Sequence, residues 1–225
     1  MVAVVLKNKS RHGILKTYSE KKGRMCIISV GDQVGQLRLR RALKPFGNDF
    51  IFARNVETRG IIPYDTSDFR RKFLFKTFFD YVKSQQGYKL KIGIHVESED
   101  LLAHIFPLIS HTAETVLLTK FELDEFCNKC LIQVGTCPEV VSEPAQLSDC
   151  DVIFAPEGTS FTNGIVFDMK TLAPSPQQLH LPKYCNSALA GGVDAVDLAA
   201  LLSLEDKTII QKIFKNKNYN YELFS

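Results

Sequence analysis

The chain has 225 residues, 45% of them hydrophobic, and carries 28 Lys and Arg against 25 Asp and Glu. That length can bury a sizeable core, and a net charge of +3 excludes a globally basic nucleic-acid binder. No apolar run reaches membrane-helix length, and Met1-Val-Ala-Val-Val-Leu6 is too short for a signal peptide and has no basic n-region before it. The expected location is therefore cytoplasmic, where the six Cys read as reduced thiols rather than a disulfide framework.

Residues 2 to 6 read as a strand. Lys7 to Arg24 is polar and crowded with Lys7, Lys9, Arg11, Lys16, Lys21, Lys22 and Arg24; a solvated hairpin is the simpler reading, a polyanion site the sharper one. Met25 to Val30 is a buried strand. Gln33 to Phe46 has helical spacing, with Val34, Leu37, Leu39 and Leu43 against Arg38, Arg40, Arg41 and Lys44, and Gly47-Asn48 ends it. Asp49 to Ala53 is a further strand. After a loop with Gly60 and Pro63, Thr66 to Gln85 forms a long helix capped by Asp65 or Thr66. Its stripe of Phe69, Phe73, Phe75, Phe78, Phe79 and Val82 predicts packing against a sheet, with Arg70, Arg71, Lys72, Lys76 and Lys83 covering the rest.

From residue 88 to 158, strands and helices alternate: strand Tyr88 to Val96, helix Ser98 to Leu108, strand Thr115 to Thr119, strand Ser148 to Phe154. Strands separated by helix-length segments imply parallel pairing, and such sheets bind ligands at the carboxyl ends of their strands. Gly164 to Asp168 is a short strand, and Leu172 to Pro182 is irregular and Pro-rich. Asp194 caps a helix through Leu202, with Asp197 at its third position; Glu205 to Phe214 continues as a second helix, and Lys215 to Ser225 shows no period.

Two strand-to-helix turns compete as a phosphate cradle. In Val30-Gly-Asp-Gln-Val-Gly-Gln-Leu37, Gly31 and Gly35 bracket Asp32, and Arg38, Arg40 and Arg41 follow within two turns. Glycine lets amides approach a phosphate and the helix start adds positive potential; glycines needed only for turn dihedrals are the simpler reading. In Ile92-Gly-Ile-His-Val-Glu-Ser-Glu-Asp100, Ser98 is a good N-cap, and Glu97, Glu99 and Asp100 suit the helix dipole but repel an anion on the same amides. His95 with Glu97 reads as an acid-base or metal pair, or as a satisfied structural histidine. Cys127-Asn-Lys-Cys130, with Cys137 and Cys150 further on, reads as buried thiols, then as a redox pair, then as a partial metal site.

Residues 88 to 170 resemble the cofactor half of a shikimate-dehydrogenase-like Rossmann domain. The resemblance rests on the order strand, helix, strand ending in a polar residue, short helix, strand, then Asp149-Cys-Asp-Val-Ile-Phe-Ala-Pro-Glu-Gly158 and Thr162-Asn-Gly-Ile-Val-Phe-Asp-Met169. It implies NAD(P) as cofactor and an oxidoreductase-like activity, with Thr119 and Lys120 near the adenosine ribose and Ala155, Pro156 and Gly158 near the nicotinamide. Where that family has its glycine-rich loop, this chain reads His-Val-Glu-Ser.

The expected fold class is α/β: a Rossmann-like, mostly parallel sheet flanked by helices, with an N-terminal β-hairpin over 1–24 and C-terminal helices over 194–214, in a single domain 1–225. The expected crevice is lined by Gly31 to Gly35, His95 to Ser98, Thr119 and Pro156 to Thr159, with Gly31, Asp32, Gly35, His95, Ser98, Thr119, Pro156 and Gly158 as its binding residues. The expected ligand is a nucleotide, a dinucleotide or a phosphate-bearing metabolite. The expected partner is thus a small molecule, with no membrane and no strong nucleic-acid signal, and a homo-oligomer is left open. The competing reading is a non-catalytic Rossmann-like domain acting in assembly or regulation.

Overall fold

The computed structural model of the protein describes residues 1–8, 12–18, 25–58, 60–85, 89–158, 164–169 and 179–205. The chain divides into two compact units: Met1–Arg70 with Pro176–Ser225, and Arg71–Ser175.

The first unit holds a four-stranded sheet of β1 (Val2–Lys7), β2 (Ile14–Tyr18), β3 (Met25–Val30) and β4 (Phe50–Phe52), in the order β2-β3-β1-β4. β1 runs parallel to both β3 and β4. Its residues Val2 to Leu6 are all buried, as a strand covered on both faces requires. The N-terminal hairpin is present, but its strands are β2 and β3, paired antiparallel from Ile14 opposite Val30 to Tyr18 opposite Cys26. β1 stands outside it because an uninterrupted apolar strand belongs at the sheet centre.

Helix α1 (Gln36–Leu43) leads into a 3-10 turn at Lys44–Phe46, which Gly47 ends at φ 56°. α1 buries Leu39 and Leu43, four residues apart, against Ala3, Val5, Cys26, Ile28, Val34 and Phe50. Leu37, expected in that stripe, is 73% exposed. A helix cannot turn positions 37, 39 and 43 to one side.

Helix α2 (Ser67–Ser84) starts where the Asp65 carboxylate accepts the Ser67 N–H at 2.9 Å. The phenylalanine stripe packs as its period requires: Phe75 and Phe78 stack on Phe154 at 5.2 and 5.5 Å, and Phe78 on Phe167 at 5.5 Å. Lys76, expected on the polar side, is buried and pairs with Asp80 one turn on.

The second unit holds β5 (Lys91–His95), β6 (Glu114–Leu118), β7 (Glu139–Val141), β8 (Val152–Phe154) and β9 (Ile165–Phe167), with α3 (Asp100–Ile109) and α4 (Asp124–Val134) as crossovers. All neighbouring pairs are parallel and the order is β7-β6-β5-β8-β9. This is the Rossmann order, with β5 as its first strand.

Two glycines allow close approaches here. A Cβ on Gly93, inside β5, would lie 3.0 Å from both Cys150 Sγ and Leu147 Cδ2. Gly164, at φ 80°, would place a Cβ 2.5 Å from the Cys150 carbonyl oxygen. Both are packing requirements, not ligand-binding ones.

The chain closes the first unit with α5 (Asn186–Ala190) and α6 (Ala195–Ser203). The Asp194 carboxylate accepts the Val196 N–H at 2.9 Å and caps α6, as expected. It also pairs with Arg70 at 3.2 Å, while Asp197 accepts from Arg70 and from the Thr66 hydroxyl. Burial pushes the Asp194 carboxyl up, but the Arg70 charge and the cap hydrogen bonds outweigh it and hold it below its usual range. The helix expected at Glu205 to Phe214 and the tail after it lie outside the described residues, apart from Glu205 itself. Among the described residues, no helix is long and apolar enough to cross a membrane.

Candidate functional site

In an open parallel sheet, connections leaving two neighbouring strands toward opposite faces open a crevice at their carboxyl ends. In the second unit the strand order reverses between β5 and β8, so the crevice lies at His95–Ser98 and Ala155–Gly158. Hydrogen bonding fixes the two segments: the Val96 N–H donates to the Leu118 carbonyl and the Gly158 N–H to the Ala155 carbonyl, both at 2.9 Å.

Charged side chains converge on this edge. Arg71, in α2, sets Nε 3.4 Å from Glu97 Oε2 and Nη2 3.1 Å from Glu157 Oε1. His95 Nδ1 lies 3.9 Å from Glu97 Oε1. None of these approaches satisfies the buried atoms: Arg71 Nε, His95 Nδ1 and Glu97 Oε1 have no hydrogen-bond partner. Burial, with the nearby Glu157 charge, raises the Glu97 carboxyl above its usual range, against the lowering pull of Arg71 and His95. Orphaned buried polar atoms are costly, and three together at a switch point make this edge the candidate site. A hydroxyl suits this set, because it can donate to Glu97 while accepting from Arg71.

Ser98 is not the N-cap it was expected to be. The residue before α3 is Glu99, in helical conformation at φ −63° with no side-chain cap bond. Ser98 sits one residue further out, where its carbonyl accepts the Leu101 N–H at 3.2 Å. Glu97, Glu99 and Asp100 therefore surround the α3 amides with carboxylate, which does not fit a pyrophosphate placed on that helix start. Thr119 follows β6 and is buried; its hydroxyl accepts the Phe121 N–H at 3.0 Å and so braces its own turn. Pro156 accepts the Met169 N–H at 3.1 Å, and Gly158 holds φ 77°. Thr159, expected to line the crevice, lies outside the described residues.

Gly31, Asp32 and Gly35 belong to the other unit. Gly31 donates its N–H to the Gly13 carbonyl at 3.0 Å, so that amide is taken. Asp32 pairs with Lys7 at 3.0 Å. Gly35 caps α1 at φ −72°, ψ 158°, with nothing within 4 Å of where a Cβ would sit. This turn does not need glycine at 35 for its dihedrals. A cavity of about 290 Å³ beside it is lined by Lys7, Gly31, Asp32, Leu39 and Glu57 among others, two carboxylates to one lysine. Arg40 turns away and donates to the Gly60 carbonyl.

All six cysteines are free, and Cys26, Cys130, Cys150 and Cys185 are buried. Burial raises the Cys127 thiol to about 11, helped by a hydrogen bond with Cys137; it raises Cys150 to about 11 and Cys185 to about 12. Such thiols stay protonated at neutral pH and are poor nucleophiles. Among the described residues, no three His, Cys, Asp or Glu side chains are grouped to hold a metal ion.

Sequence reasoning paired His95 with Glu97 and put Glu157 in the Pro156 to Thr159 wall of the crevice, but missed Arg71. Arg71 looked like one of five cations covering a helix. Only the strand order that brings β5 beside β8 could have joined it to them.

No family model and no curated protein matches this chain. Solved structures similar to it include an L-tryptophan dehydrogenase from Nostoc punctiforme, 13% identical, covering 84% of this chain with a TM-score of 0.39. The chain spans 66% of that protein's length. Another is a shikimate dehydrogenase from Aquifex aeolicus, also 13% identical, covering 99% of this chain and 95% of its own, with a TM-score of 0.32. At these values neither protein transfers a residue role.

Proposed function

We propose that Arg71–Ser175 is a ligand-binding Rossmann-type unit. Its ligand is a nucleotide, a dinucleotide or another phosphate-bearing metabolite, taken at the carboxyl ends of β5 and β8. The observation that carries this reading is the reversal of strand order between β5 and β8, with the unsatisfied Arg71 Nε, His95 Nδ1 and Glu97 Oε1 at that edge. Glu97 and His95 meet sugar hydroxyls and Arg71 meets the anionic part, released from its two carboxylates. If the ligand is NAD(P), oxidoreductase activity is the chemistry it would support, and its pyrophosphate must then sit away from the α3 amides.

Calorimetric titration of the full chain with AMP, NAD, NADP and inorganic phosphate tests the reading. Saturable binding of a nucleotide that is lost in Arg71→Ala and in Glu97→Gln supports it. Binding retained in both folded variants would sink it.

One observation favours the competing reading. The α3 start carries carboxylates where a dinucleotide-binding loop carries glycines. A folded chain that binds none of the four probes at millimolar concentration points to a non-catalytic role in assembly or regulation.

A further inference from the structure

One cavity in the first unit lies away from the strand carboxyl ends. It is an open depression of about 500 Å³ between α1, the start of β4 and residues 60–62. Leu43, Phe50 and Ile61 form its floor, and Leu43 and Phe50 are almost wholly buried. Leu37 and Ile62 stand at its rim, 73% and 81% exposed. Arg40, Arg41 and Lys44 complete the lining, and no carboxylate lines it among the described residues.

The sequence makes this face deliberately mixed. Leu37, Arg40, Arg41 and Lys44 fall at i, i+3, i+4 and i+7, one stripe of α1 and its 3-10 continuation. The opposite stripe, Leu39 and Leu43, supplies the core. Large apolar side chains grouped in water mark a face that something can cover, and a lining with cations and no carboxylate favours a negatively charged occupant. The volume falls in the range of small-molecule sites.

We infer that this cavity binds a small amphipathic organic anion, a carboxylate or sulfonate on an aromatic or medium-length alkyl body. The body lies against Leu37, Phe50, Ile61 and Ile62, and the anionic head meets Arg41 and Lys44. Arg40 holds the 60–62 segment in place through its bond to the Gly60 carbonyl. This site is independent of the one at β5 and β8, and charge complementarity selects the ligand.

The probes are 1-anilinonaphthalene-8-sulfonate, followed by its fluorescence on the full chain, and decanoate as competitor. One saturable site displaced by decanoate is expected. The double variant Arg41→Ala/Lys44→Ala should weaken it at least tenfold, as should Leu37→Ser/Ile62→Ser. The uncharged N-phenyl-1-naphthylamine should bind at least tenfold more weakly than the sulfonate. These side chains are exposed, so both variants should fold with an unchanged circular-dichroism melt; should the double variant misfold, Arg41→Gln alone must still lower affinity. Equal affinity for the uncharged probe would overturn the inference, as would affinity unchanged in the folded variants. So would self-association of the chain that Leu37→Ser abolishes, because a protein face would then be the occupant.

Discussion

The two strand-to-helix turns, Val30 to Gln36 and His95 to Asp100, solve the same geometric problem with opposite chemistry. The first carries two glycines, and no acidic residue lies in the first turn of α1. Yet the Gly31 amide is already bonded and Gly35 sits in an extended conformation open to any residue. The second has no glycine and three carboxylates, yet it gathers the unsatisfied atoms. Under the proposed function, the turn that matters is the one whose donors and acceptors remain unspent, whatever its glycine content.

Four substitutions break or sharpen this contrast. Gly93→Val, in the strand feeding the acidic turn, forces methyl groups into Cys150 and Leu147 and should cost about 2–3 kcal/mol in urea unfolding. A smaller loss would mean that β5 yields more readily than its packing indicates. Arg71→Ala leaves Glu97 and Glu157 facing each other; because Arg71 is 44% exposed, the cost should be about 1 kcal/mol. The loss should shrink in acid as the carboxylates protonate.

Glu97→Gln should be neutral or stabilising at pH 7, by up to about 1 kcal/mol, while weakening the ligand. The Glu97 carboxyl is raised in the folded state, so ionising it disfavours folding as pH rises through its folded value. Below the ordinary glutamate range both states are protonated, and the advantage of Gln should vanish. Thermal melts from pH 3.5 to 8 read the sign. Gly35→Val should cost no more than about 1 kcal/mol, because its φ suits valine and the space is open, so that only the poorer N-cap preference of valine counts. It also leaves the β5 edge untouched, so nucleotide binding should persist; loss of binding in the folded variant would return the site to the glycine turn.

Much of the fold was legible because buried strands are continuous apolar runs. The strand read over Thr115 to Thr119 is Glu114–Leu118, and the one read over Tyr88 to Val96 is the shorter Lys91–His95. β7 was reached only through the family resemblance, since Glu139 and Val140 are exposed and three residues carry no period. The partner of β2 was misread because pairing is decided across the chain: five consecutive buried residues in β1 already pointed to a central strand. At the site, His95 and Glu97 were legible as neighbours in sequence. Arg71 was not, because an arginine on a helix declares its partner only once the strands are ordered.

The Arg70–Asp194–Asp197 cluster bears on the order in which the protein is made. Thr66 and Arg70 bond to residues more than 120 positions further on. The first unit cannot close around α6 until that late segment has left the ribosome, whereas Arg71–Ser175 is one continuous stretch. The second unit can therefore complete its sheet during synthesis, while β1 waits for the last helices to cover it. Removing the Arg70 anchor should slow the final folding phase and leave the earlier one unchanged.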